Sequence, residues 1–100
     1  MTGVRFHARC TPLLPSGTPP GVLELTVLDV TRADAPARVI AQRRVNTVEA
    51  IEIEGVLDDP RHDYAAAMTY TVDGRLAFLS TRRHPIVAGE QQLEIPLTRA

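Results

Sequence analysis

The residues best equipped for chemistry lie in two short stretches, Leu57-Asp58-Asp59-Pro60-Arg61-His62-Asp63-Tyr64 and Asp29-Val30-Thr31-Arg32-Ala33-Asp34. Carboxylates beside a histidine can exchange protons as general acid and base, or hold a metal ion. The first stretch has the residue types for either, but no second histidine nearby, since His7 and His84 lie far along the chain. Adjacent carboxylates before a proline also make an ordinary surface loop, and weak contact with a metal or a partner is a further use. In the second stretch, a calcium loop would need more oxygen ligands at regular spacing and a glycine for its bend. Asp29, Thr31 and Asp34 suit a corner instead. Their side-chain oxygens accept from nearby backbone N–H groups, Arg32 can pair with either acid, and Ala35-Pro36 forces an extended restart. The expectation is structural turns at Asp29, Arg32, Asp34 and Pro36, with no catalytic, cofactor-binding or metal-ligating residue assigned.

Other chemistries find little support. The chain has no G-x-S-x-G, phosphate loop or dinucleotide fingerprint, and no cofactor is expected. Cys10 is the only cysteine, which excludes an internal disulfide and a cysteine-rich zinc site. It alternates with charged neighbours in Val4-Arg5-Phe6-His7-Ala8-Arg9-Cys10, as a small buried thiol on a strand would; a reactive thiol beside Arg9 is the alternative. Eleven basic residues, all arginine, against twelve acids leave a net charge of −1, too little positive field to hold a nucleic acid. No stretch approaches the roughly 18 apolar residues of a membrane span. The N-terminus lacks the charged flank and apolar run of a signal peptide. The expectation is a chain that stays in the compartment where it is made, cytoplasmic if complete, or one whose export segment has been removed.

The elements that position these stretches are strands. At 100 residues and 44 % apolar, the chain is expected to form a single domain over 1–100. Period-two alternation dominates and no helical stripe persists. Strands are expected at about 3–10, 22–30, 38–45, 48–55, 63–71, 75–82 and 91–98. The prolines and glycines of Thr11 to Gly21 argue against a ladder there. In the last strand Leu93, Ile95 and Leu97 point inward and Pro96 marks an edge. About seven short strands in this length suit an all-β, two-layer antiparallel β-sandwich, immunoglobulin-like in architecture.

The segment Met68 to Phe78 allows a sharper expectation. A two-residue turn at Asp73-Gly74 would set Tyr70 and Met68 on one face with Arg75. A three-residue loop, Val72-Asp73-Gly74, slips the register, so that Tyr70 meets Leu76 and Met68 meets Phe78. Burial favours the second, with Gly74 at positive φ. The opposite face then carries Ala65, Ala67, Thr69 and Thr71 with Ala77 and Leu79, smooth and nearly uncharged. It either packs closely under another element or serves as a docking surface for a partner. Tyr64 is either a tyrosine corner, bonding its hydroxyl to the preceding loop, or a plain rim aromatic.

The segments Pro19 to Gln42 and Asp59 to Phe78 resemble the YbaY-like family, also described as YscW-like lipoproteins. The resemblance rests on Pro19-Pro20-Gly21, Asp29-Val30, Arg32 to Pro36, Val39-Ile40-Ala41, Asp59-Pro60-Arg61 with Tyr64, and Asp73 to Leu76, and it extends over about residues 4–98. It implies a β-sandwich of the bacterial envelope, in the periplasm or at the outer-membrane face, without catalytic residues. Some relatives look like pilotins of type III secretion, small lipoproteins that escort a secretin to the outer membrane. Cys10 departs from the lipid-anchor pattern, since it follows Phe6-His7-Ala8-Arg9 rather than an apolar run ending in small residues. The expected function is therefore a non-enzymatic, pilotin-like domain that binds a protein partner, a secretin or another envelope component. An edge strand could receive an extended peptide. A carbohydrate-binding module is the first alternative, weakened by having only Phe6, Tyr64, Tyr70 and Phe78 as rings. A metal or acid–base enzyme built on Asp58 to Asp63 is the last.

Overall fold

The computed structural model describes residues 3–100. Among the described residues nine strands follow one another: β1 (Val4–Leu13), β2 (Val22–Asp29), β3 (Arg38–Val45), β4 (Ile51–Leu57), β5 (Tyr64–Val72), β6 (Arg75–Leu79), β7 (His84–Ile86), β8 (Gly89–Pro96) and β9 (Thr98–Arg99). They form two packed sheets. One has the order β4-β1-β8, the other β3-β2-β5-β6-β9 with β7 beside β5. The all-β sandwich expected from the alternation is the observed fold. One ladder departs from the antiparallel expectation, because β8 runs parallel to β1.

Alternation explains which side chains meet between the sheets. On β1, Phe6, Ala8 and Cys10 face inward; on β2, Leu23, Leu25 and Val27; on β5, Tyr64, Ala66, Met68 and Tyr70. Each large apolar side chain removed from water contributes about 1.5–3 kcal/mol, so this row-on-row burial is the main support of the fold. Cys10 is fully buried within it, and burial pushes its thiol up to about 11, so the reactive-thiol alternative has no thiolate to use near neutral pH. Tyr70, also fully buried, donates its hydroxyl to the Pro19 carbonyl at 2.6 Å and so ties the proline-rich loop across the core. Gly21 permits that approach, since a Cβ there would overlap the Thr71 carbonyl oxygen and the Tyr70 ring.

Several boundaries differ from expectation for identifiable reasons. β1 continues through Pro12 to Leu13, because β4 stops pairing at Cys10 and the strand beyond has a ladder with β8 alone. β4 starts at Ile51 rather than 48, because Thr47 turns the chain by accepting from the Glu49 N–H. The last strand is divided: β8 lies at the edge of the three-stranded sheet, and β9 crosses to pair with β6 in the other.

The β5–β6 hairpin corrects the expected register. Val72 pairs with Arg75, so Asp73 and Gly74 form a two-residue turn with φ of 52° and 77°. Both positive values match the turn whose twist suits adjoining strands. The slip that burial requires comes one step later. A bulge follows Thr71↔Leu76 and brings Tyr70 opposite Phe78, leaving Ala77 as the extra residue. Tyr70 and Phe78 both enter the core, while Leu76 stays 50 % exposed rather than meeting Tyr70.

Candidate functional site

The two chemistry-bearing stretches come together at one end of the sandwich. Asp29 closes β2, and Tyr64, its ladder partner, opens β5, so the topology sets the corner after β2 against the loop before β5. The Val30 N–H donates to the Asp63 carbonyl at 2.9 Å, and the Asp63 N–H donates to Thr31 Oγ1 at 2.9 Å. Thr31 donates its hydroxyl to Asp29 Oδ1 at 2.6 Å, and its N–H reaches the same oxygen at 3.1 Å. His62 Nδ1 lies 2.8 Å from Asp29 Oδ2. A carboxylate can only accept, so the imidazole donates there. The other ring nitrogen lies 3.5 Å from Asp59 Oδ2. Arg38, from β3, donates to Asp58 Oδ2 at 2.7 Å.

The loop is internally tied as well. Asp59 Oδ1 accepts from the Arg61 N–H at 2.9 Å and from Nε at 3.1 Å, while Oδ2 accepts from Nη2 at 3.0 Å. The Tyr64 hydroxyl donates to the Asp59 carbonyl at 2.9 Å and accepts from the Asp59 N–H at 3.0 Å. Arg32 pairs at 3.6 Å with Asp34, both well exposed, and Asp29 receives Thr31 and His62 instead.

These contacts set the electrostatics. Asp29, with a side chain only 10 % exposed, is held down to about 2, chiefly by the Thr31 hydroxyl and then by His62, against the opposing effect of burial. Asp59 is likewise held at about 2, mainly by hydrogen bonds from the Arg61 side chain and backbone. A general acid or base works best with a pKa near the operating pH. These carboxylates stay ionised and engaged near neutrality, which is the chemistry of an anchor. Among the described residues, no group of three or more His, Cys, Asp or Glu side chains is placed to hold a metal ion. His7 lies on the other sheet, 3.1 Å from Glu52 and 3.8 Å from Glu90, and His84 sits in β7 opposite Ala66, so the three histidines occupy separate settings.

Beside the knot an apolar cleft of about 360 Å³ opens between the sheets. Val4 and Leu57 line one wall, Tyr64 and Ile86 the other, with His62 and Arg83 also at its lining. Asp73 and Gly74 lie at the other end of β5. Ala65, Ala67, Thr69 and Thr71 alternate with the core-facing residues of β5, with Leu79 opposite Thr69. They occupy the outer face of the larger sheet. Ala65 is 3 % exposed there, between its ladder neighbours Leu28 and Pro85. Glu24 pairs with Arg44 at 3.2 Å on the same face, and Gln42 donates to Thr26 at 3.1 Å, so the face is more polar than β5 alone suggests.

The sequence did not reveal that His62 donates to Asp29, that Thr31 bridges to Asp63, or that Arg38 reaches Asp58. These contacts span 20 to 33 residues and depend on strand pairing. The signal available was the placement of each stretch beside a strand end.

Comparison with known proteins agrees with this architecture. The alternative pilotin from the type II secretion system of Vibrio cholerae has a similar fold, with a TM-score of 0.71 at 20 % identity, over 99 % of this chain and 100 % of that one. No curated protein matches the chain. The family model for the type III secretion system lipoprotein chaperone, YscW, matches residues 13–97. With most of its length matched, the chain belongs to the YscW family of type III secretion system lipoprotein chaperones.

Proposed function

We propose that this domain is a non-catalytic, pilotin-like chaperone that binds a protein component of a bacterial secretion system, with a secretin as the partner that the family points to. Family membership over residues 13–97 is the observation that carries this reading. The geometry supports it, because the densest polar cluster joins two bends by hydrogen bonds within the chain and holds its acids ionised. The sugar-binding alternative loses its chemical basis. Phe6, Tyr64, Tyr70 and Phe78 are all buried, so no ring is presented to stack on a sugar.

Two surfaces suit a protein partner: the outer face at Ala67, Thr69, Thr71 and Leu79, continued by exposed Leu76, and the side of β8 that has no strand among the described residues. The test is co-expression with the secretin encoded in the same genome, followed by membrane fractionation. Assembled secretin in the outer membrane should rise when the domain is present, and the two should co-purify. Unchanged secretin distribution together with no co-purification would refute the role.

A further inference from the structure

The two sheets protect their free edges unequally. β3 carries Arg38, Arg43 and Arg44, and a bulge interrupts its ladder with β2 between Val27 and Leu28. The outer side of β4 is covered in part by Arg43, which donates to the Glu52 carbonyl at 2.6 Å. β9 has only two residues. β8 differs from all of these. It runs for eight residues, its proline is the last of them, and among the described residues it has β1 on one side and no strand on the other. Such an edge is a template for another strand.

Charge says which strand it fits. On the outer face of this sheet β4 presents Glu52 and Glu54, β1 presents Arg5, His7 and Arg9, and β8 presents Glu90 and Glu94. Acidic, basic and acidic stripes therefore alternate across the three strands. The next strand in that pattern is basic. A second copy of this chain brings like charges together in two of its registers. Antiparallel pairing about Gln92 would set Glu90 against Glu94 twice, and parallel pairing in register would set each glutamate against itself. A one-residue slip would place one copy's core-facing side chains on the other's solvent face. Between the glutamates, Leu93 packs on the core yet stays half-buried at the edge, where an apolar neighbour would cover it.

We propose that β8 is the docking edge, and that its occupant is an extended segment of a partner protein with basic residues at alternate positions and apolar residues between them. This inference rests on the protein-binding role proposed above and assigns it a surface. The segment adds a fourth strand, its cations opposite Glu90 and Glu94 and its apolar side chains over Leu93.

The experiment titrates the isotope-labelled full chain with a synthetic eight-residue peptide alternating Lys and Val, and with its Glu/Val counterpart. The basic peptide should move the backbone amides of Gly89 to Glu94 and bind at least about 10-fold more tightly than the acidic one. E90K/E94K should reverse that preference, and E90Q/E94Q should abolish it while keeping the edge uncharged and folded. Equal binding of both peptides would overturn the proposal, as would shifts centred on Ala67, Thr69 and Thr71 or a peptide-free dimer paired through β8. The titration reads the edge alone, and secretin fractionation reads the role. Secretin assembly that persists with E90K/E94K alongside unselective peptide binding refutes the edge and leaves the role standing.

Discussion

The knot at Asp29 to Asp63 and the strand β8 differ in where their hydrogen-bonding capacity goes. In the knot, Asp29, Thr31, Asp59, His62 and Tyr64 all engage groups of the same chain. Along β8, one side of the backbone meets β1 and the other has no strand among the described residues. The residue types that look most reactive thus support the fold, while a chemically plain strand retains capacity for a partner. Substitutions should separate the two regions cleanly.

The largest effect belongs to Asp29→Ala. It removes the acceptor of both Thr31 groups and of His62, a carboxylate that is itself largely covered, and should cost about 2–3 kcal/mol. Thermal unfolding would show this as a fall of roughly 8–20 °C, while binding to the basic peptide at β8 remains. Tyr64→Phe keeps the buried ring and deletes the hydroxyl that both donates to and accepts from Asp59. The expected loss is about 1–2 kcal/mol, read from denaturant midpoints.

Acid should loosen the knot in a defined window. Asp29 and Asp59 have folded values near 2, below the ordinary 3.8. The unfolded chain therefore takes up protons first as pH falls. Their contribution is complete above about 4 and disappears as pH drops through 2. Melting temperatures measured from pH 5 to 2 should fall more steeply for the native chain than for Asp29→Asn, which lacks one of the two groups. The smallest stability change belongs to E90K/E94K, within about 0.5 kcal/mol by the same measurement, because both side chains are exposed. That variant would alter peptide preference alone.

The same contrast governs what could be read from residue order. Alternation at Leu23, Leu25 and Val27, or at Leu93 and Ile95, carries its own burial pattern, so the sandwich and its core were legible. Pro96 signalled an edge, and β8 is one. The turn at Asp73-Gly74 was visible, but the bulge at Ala77 was not, since an extra residue can enter a hairpin at the loop or within a strand with equal effect on burial. β7 and β9, at three and two residues, are too short for periodicity to register. The parallel pairing of β1 with β8 joins the first and last long strands, and alternation carries no information on strand direction. The knot was hidden for a related reason. Its two halves become neighbours only because Asp29 pairs with Tyr64 in the β2–β5 ladder.

The most direct test of the central claim is a backbone amide shift map of the labelled domain on addition of the purified secretin proposed as its partner. The account predicts movement concentrated at Gly89 to Glu94, with Asp29, Thr31 and Asp59 to Asp63 stationary. Movement centred on those knot residues, with β8 silent, would contradict it.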